Sequence, residues 1–163
     1  MKQSGIISQA GFTLIELMVV VAAIIILTGG SIAAYLNFNK TQVMNTDAQN
    51  LAAEIRRVKT LAASQQYPTG CGMLESYIIS SEVVNDSLTG VRVTANCSPT
   101  DVIYEINDLL INSYFSAPFV MNFLPRSGYI SNGADQTITL IHDADETYTR
   151  NILVGAYGTI NIQ

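Results

Sequence analysis

The sequence has no tryptophan, a single histidine, two cysteines and four prolines in 163 residues. Hydrolytic or nucleophilic catalysis needs a base held beside a nucleophile, and His142 has no serine or cysteine motif near it. It falls at the end of a predicted strand, where a structural role is expected. Gly70-Cys-Gly72 opens no helix and is followed by no lysine, which excludes a phosphate-binding loop. No enzyme and no cofactor are expected. The two cysteines, Cys71 and Cys97, fit neither a CxxC redox pair nor a four-ligand zinc pattern, which leaves a disulfide or two free thiols. Basic residues are also scarce, 8 against 13 acidic, for a net charge of −5. A phosphate backbone has to be met by clustered Lys and Arg, so no nucleic-acid partner is expected. Charged residues make up 13% of the chain and hydrophobic ones 48%, against about 25% charge in an average soluble domain. Apolar surface must therefore be buried outside an ordinary core, in a membrane or an assembly.

The hydrophobic excess is concentrated at one end. From Phe12 to Leu36 only Glu16 is charged, and 25 helical residues at 1.5 Å each span the apolar core of a bilayer, about 30 Å. A transmembrane helix over 12–36 is expected. The preceding flank carries Lys2 and no acid, which favours a cytoplasmic N-terminus with the rest of the chain outside. A conventional secretory signal is the rival reading, with Leu17 to Leu27 as the apolar run and Ser31-Ile-Ala33 as a small-residue cleavage site. It would release an exported binding domain. Glu16 speaks against it: a carboxylate is costly in lipid, and an ionisable residue in a membrane segment marks a function with a partner to be found.

Beyond Tyr35 the pattern turns amphipathic. Met44, Ala48, Leu51, Ile55, Val58 and Ala62 recur at alternating spacings of four and three, one stripe of a helix expected over 37–66. Arg56, Arg57 and Lys59 fall off the stripe and read as a solvated face. Tyr67-Pro68-Thr-Gly70 ends the helix. Runs of β-branched and aromatic residues then predict strands at 76–81, 90–95, 102–107, 117–124, 127–131, 136–142, 150–155 and 158–162, joined as a meander. The expected fold is α+β: a long N-terminal helix, membrane-spanning in its first half and amphipathic in its second, packed on an antiparallel β-rich head over 67–163. Asp143, Asp145 and Glu146 place three carboxylates in one loop. That is hard-oxygen chemistry suited to Ca²⁺, but the spacing matches no calcium loop, and a solvated hairpin tip explains it more cheaply. No metal site is expected.

The stretch from Gly11-Phe-Thr-Leu-Ile-Glu16 into Leu-Met-Val-Val-Val-Ala-Ala-Ile-Ile resembles the N-terminal signature of type IV prepilins and of type II secretion pseudopilins. The resemblance implies a leader, 1–11, removed after Gly11 by a prepilin peptidase, which also methylates the new Phe12 amine. It implies storage as a single-pass protein of the bacterial inner membrane, head in the periplasm or outside, followed by assembly with other pilin subunits. The physics agrees, because a Phe12 ammonium and the Glu16 carboxylate are each costly in an apolar filament core unless paired, and Glu16 of one subunit can neutralise a neighbour's Phe12 amine. In that oxidising setting a Cys71–Cys97 disulfide is expected, worth roughly 3 kcal/mol. Paired glycines in Thr28-Gly29-Gly30-Ser31 would permit a local kink during assembly. In the head, Phe123-Leu-Pro-Arg-Ser-Gly128, Arg150-Asn-Ile152 and Gly158-Thr-Ile160 resemble the FimT/GspH class of minor pseudopilins. The implied function is a structural, minor filament subunit serving protein secretion. The alternative is a minor pilin acting in adhesion, motility or DNA uptake, although Gly158-Thr-Ile-Asn-Ile-Gln163 ends without the cations that FimT-like DNA binders use.

Overall fold

The computed structural model describes residues 13–163, apart from the side chains at 29–31, 33 and 105. The leader, Gly11 and Phe12 lie outside the described residues. Helix α1 (Leu14–Ala63) is followed by eight strands: β1 (Met73–Val84), β2 (Ser87–Ser98), β3 (Val102–Asp108), β4 (Ser113–Phe115), β5 (Val120–Phe123), β6 (Gln136–His142), β7 (Asp145–Val154) and β8 (Ile160–Ile162). The chain divides into two compact units, Met1–Asn39 and Lys40–Gln163.

In the first unit the backbone of α1 is helical through Gly29 and Gly30 without a break. Every described side chain from Thr13 to Asn39 is exposed, including Leu14, Val20, Ile24 and Leu27. A helix that is apolar all round is one that other matter must cover. Among the described residues no helix is long and apolar enough to cross a membrane, the side chains at 29–31 and 33 falling outside them.

The second unit holds the core. The stripe of Met44, Ala48, Leu51, Ile55, Val58 and Ala62 is buried, none more than 1% exposed. It packs in one cluster with Tyr77, Ile79, Val91, Val93 and Ala95 from β1 and β2, and with Ile138, Leu140, Ile152 and Val154 from β6 and β7. The helix stops at Ala63, three residues short of the expected 66, and a local motif stops it rather than Pro68. Gln65 takes a positive φ of 51°, while Gln65 N donates to Ala62 O and Gln66 N to Leu61 O. These crossed bonds satisfy the last carbonyls and turn the chain out of the helix.

The strands are antiparallel but form no meander. Sheet one has the order β3-β2-β1-β5 and sheet two β4-β6-β7-β8. The chain leaves sheet one after β3, supplies β4 to sheet two, returns with β5 beside β1, and then completes sheet two. The long β1–β2 hairpin turns on Asn85 and Asp86, both at positive φ, 49° and 64°, which matches the twist of the flanking strands as a two-residue turn requires. The expected strand at 127–131 is instead a turn. Arg126 and Gly128 take φ values of 70° and 62°, Gly128 N donates to Leu124 O, and only Ile130 makes a bridge, to Phe123. Strand β4 has no counterpart in the sequence expectation. Cys71 and Cys97 are joined in a disulfide, Cα–Cα 5.4 Å, tying the segment after the helix to the end of β2.

Candidate assembly site

The N-terminal end of α1 is built by a capping pattern. Thr13 Oγ1 accepts from the Glu16 backbone N–H at 3.4 Å, and Leu17 N closes the first helical bond to Thr13 O. Thr13 thus serves as the N-cap, with Glu16 in the first turn, where a carboxylate complements the helix dipole. Glu16 sits on an exposed helix surface four positions after Phe12. The cap was legible in the sequence as a threonine three residues before a glutamate. It gives Glu16 a local position at the start of the helix.

The helix is held in the head unit at both ends of its buried stretch. At the first, Lys40 Nζ donates to Asp145 Oδ2 at 2.6 Å and lies 5.2 Å from the centre of the Tyr148 ring. One turn on, Arg150 Nε donates to Asn45 Oδ1 at 2.9 Å. Asp47, 2% exposed, accepts from Ser113 Oγ at 2.7 Å and from the Asn112 N–H at 3.3 Å. At the other end the carbonyl of Ala62 accepts from the Arg126 N–H, and Lys59 Nζ donates to the carbonyls of Tyr157 and Gly158 at 3.2 and 3.0 Å. Lys59 therefore leaves the solvated face expected of it and docks the β7–β8 turn. A Cβ on Gly128 would stand 2.9 Å from Lys59 Cγ and 3.1 Å from Lys59 O, so only glycine lets that turn lie against the helix. Two of the head segments that resemble the FimT/GspH class, 123–128 and 158–160, are the ones that grip the end of α1.

Two of the three loop carboxylates have separate partners. Asp145 belongs to Lys40, and Glu146 Oε1 accepts from the Tyr114 hydroxyl at 3.4 Å. The Asp143 backbone N–H donates to Asn112 O. Among the described residues no group of three His, Cys, Asp or Glu side chains is placed to hold a metal ion. His142 is buried at 7%, and its Nδ1 accepts from the Ala144 N–H at 3.1 Å, which braces the hairpin turn.

The hydrogen bond from Lys40, with a second from Thr147, pulls the Asp145 carboxyl from 3.8 down to about 2. A depressed carboxyl stabilises the fold above its unfolded value and loses that contribution as pH falls through the folded one. Urea unfolding of the wild-type chain should therefore weaken between pH 3.8 and about 2, with a visibly shallower slope for Lys40→Ala. Equal slopes for the two chains would mean that the pair contributes nothing to acid sensitivity.

Residues 7–32 match the prokaryotic N-terminal methylation motif. The motif is joined to a fold of the pilin kind. The fold is similar to that of the type IV minor pilin FimU of Pseudomonas aeruginosa strain PAO1, known in two crystal forms. In space group P21 the TM-score is 0.56 at 14% identity, covering 77% of this chain and 92% of that one. In space group P65 the TM-score is 0.52 at 14% identity, covering 73% and 91%. No curated protein matches the sequence significantly.

Proposed function

We propose that this chain is a non-catalytic, minor subunit of a pseudopilus that serves protein secretion. A prepilin peptidase cleaves it after Gly11 and methylates Phe12. It waits in the inner membrane as a single-pass protein with its head in the periplasm, and then joins other pilin-like subunits through the apolar half of α1. The observation that carries this reading is the continuity of the methylation motif at 7–32 with a helix whose described side chains are exposed up to Asn39 and whose buried stripe begins at Met44. An apolar helix surface that, among the described residues, nothing covers fits a lipid bilayer first and a filament core of like helices afterwards. Glu16 then pairs with a neighbour's Phe12 amine, which orders the helices in register.

The second reading, a pilus acting in adhesion, motility or DNA uptake, is favoured by the fold of FimU. Deleting the gene separates the two. The secretion reading predicts loss of exported proteins from the culture supernatant while surface pili remain. Normal secretion with loss of sheared pili would assign the subunit to a pilus instead.

A further inference from the structure

A strand at the border of a sheet carries backbone N–H and C=O groups with no neighbour, and proteins shorten or cover such edges or place lysine and proline on them. Among the described residues the border strands are β3 and β5 of sheet one and β4 and β8 of sheet two. β4 and β8 are each three residues long. β5 is covered by the chain that follows it, since Ser131 N donates to Asn122 O and Ile130 bridges Phe123. β3 has none of these protections. It runs for seven residues and holds no proline and no lysine. Among the described residues no backbone bond reaches it from outside sheet one.

Its side chains are open as well. Val91, Val93 and Ala95 of β2 are buried in the cluster with α1, so Arg92 and Thr94 stand on the opposite face of the sheet. Their partners across the ladder, Ile106 and Ile103, share that face and are 51% and 57% exposed. The register shifts between Val93 and Thr94, which places Tyr104 opposite no residue of β2, as in a bulge. Tyr104 turns to the helix side, its ring centre 6.1 Å from that of Tyr77 and 5.7 Å from the Arg57 guanidinium carbon. The segment Asp101-Val-Ile-Tyr-Glu-Ile-Asn-Asp108 has three acidic residues and no basic one. Asp101 and Asp108, at its two ends, are exposed.

We propose that β3 is a docking edge for a different pilin-like subunit, which adds an extended segment as a further strand of sheet one. This rests on the filament reading above. Only an extended chain meets a row of backbone donors and acceptors along its length, and its alternate side chains then set the specificity. Apolar residues of the added strand cover Ile103 and Ile106, and Lys or Arg near its ends meets Asp101 and Asp108. A second copy of this chain is a poor occupant, because two β3 edges side by side oppose acid to acid and a minor subunit has neighbours of other sequence. The contact of Arg57 with Tyr104 sets the edge beside α1, so a subunit packed along this helix brings its head to β3.

The test uses full-length chains in the native cell, with the sheared or extracted filament fraction compared at equal membrane levels. Ile103→Lys and Ile106→Lys should each lower incorporation roughly tenfold, because a lysine at a sheet edge opposes strand addition. Thr149→Lys, at an exposed position of sheet two, is the control and should incorporate normally. Unchanged urea midpoints for the detergent-extracted variants would exclude misfolding. A photoreactive residue in place of Ile103 in an otherwise wild-type chain should cross-link to a peptide of a different pilin-like subunit. Hydrogen exchange at the backbone amides of 102–108 should slow roughly tenfold or more between the extracted chain and the filament, as pairing protects them. Ile103 and Ile106 variants that incorporate like the control, equal exchange in the two states, or a cross-link to a second copy or to an exported protein would each overturn the added strand. A wild-type chain missing from the filament fraction would instead overturn the filament reading itself.

Discussion

Glu16→Ala is expected to enter the membrane and be cleaved at wild-type levels, yet to be depleted from filaments a hundredfold or more. Removing the carboxylate makes the segment easier to accommodate in lipid, so failure to insert does not account for the loss. In the filament the missing charge strands a neighbour's Phe12 ammonium in an apolar core, at a cost of about 3–5 kcal/mol for a broken buried pair. The helix dipole supplies a competing explanation, since Glu16 is the acidic residue of the first turn. Losing that interaction costs only about 0.3–1 kcal/mol. Two further variants separate the effects. Glu16→Gln keeps the size and hydrogen-bonding capacity but not the charge, and should fail as Glu16→Ala does. Thr13→Ala removes the cap and keeps the charge, and should assemble nearly normally. Co-expression with tagged wild-type chain, followed by shearing and quantification, reads all three. If Glu16→Gln assembles as well as wild type, charge pairing is wrong and Glu16 serves the peptidase.

Ile55→Ala should destabilise the head unit more than any surface change. Ile55 is 0% exposed in the middle of the buried stripe, in the cluster where α1 packs on both sheets. Truncating a fully buried isoleucine removes its transfer energy and leaves a cavity, together about 2–5 kcal/mol, out of a total stability of about 5–15 kcal/mol. Ala53, two residues away but exposed, offers the control: Ala53→Ser should change stability by about 0.5 kcal/mol or less. Urea unfolding followed by tyrosine fluorescence measures both. A loss below about 1 kcal/mol for Ile55→Ala would mean that the helix is held by its polar end contacts and not by the stripe.

Those end contacts mark the limit of what the sequence discloses. The stripe from Met44 to Ala62 is visible because a helix repeats its neighbours locally, every three or four residues. The grip of Lys59 on Tyr157 and Gly158 is not, because its acceptors are backbone carbonyls 98 and 99 positions away. Lys40 and Asp145 are separated by 105 positions. Nothing in the two short segments announces that they meet, so Lys59 reads as solvated and Asp145 as part of a loose acidic loop. Strand pairing fails for the same reason: β5 beside β1 and β4 beside β6 are non-local choices, and a meander is only the shortest connection. The strand expected at 127–131 shows a different failure. Its Tyr129 and Ile130 have strand composition, but positive φ at Arg126 and Gly128 bends the segment onto the helix end. Asn85-Asp86 was readable as a two-residue hairpin turn, since asparagine and aspartate tolerate positive φ. The N-terminal segment was the most legible part, because its chemistry is written in consecutive residues, Gly11 through Glu16.

A processed filament subunit is told from an exported domain by its mature N-terminus. Intact-protein mass spectrometry of the membrane and filament fractions measures it. A chain that begins at Phe12 and carries one methyl group is expected in both fractions. A chain that begins at Ala34 would contradict it in favour of an exported domain, and one that still begins at Met1 would leave a membrane anchor without a filament.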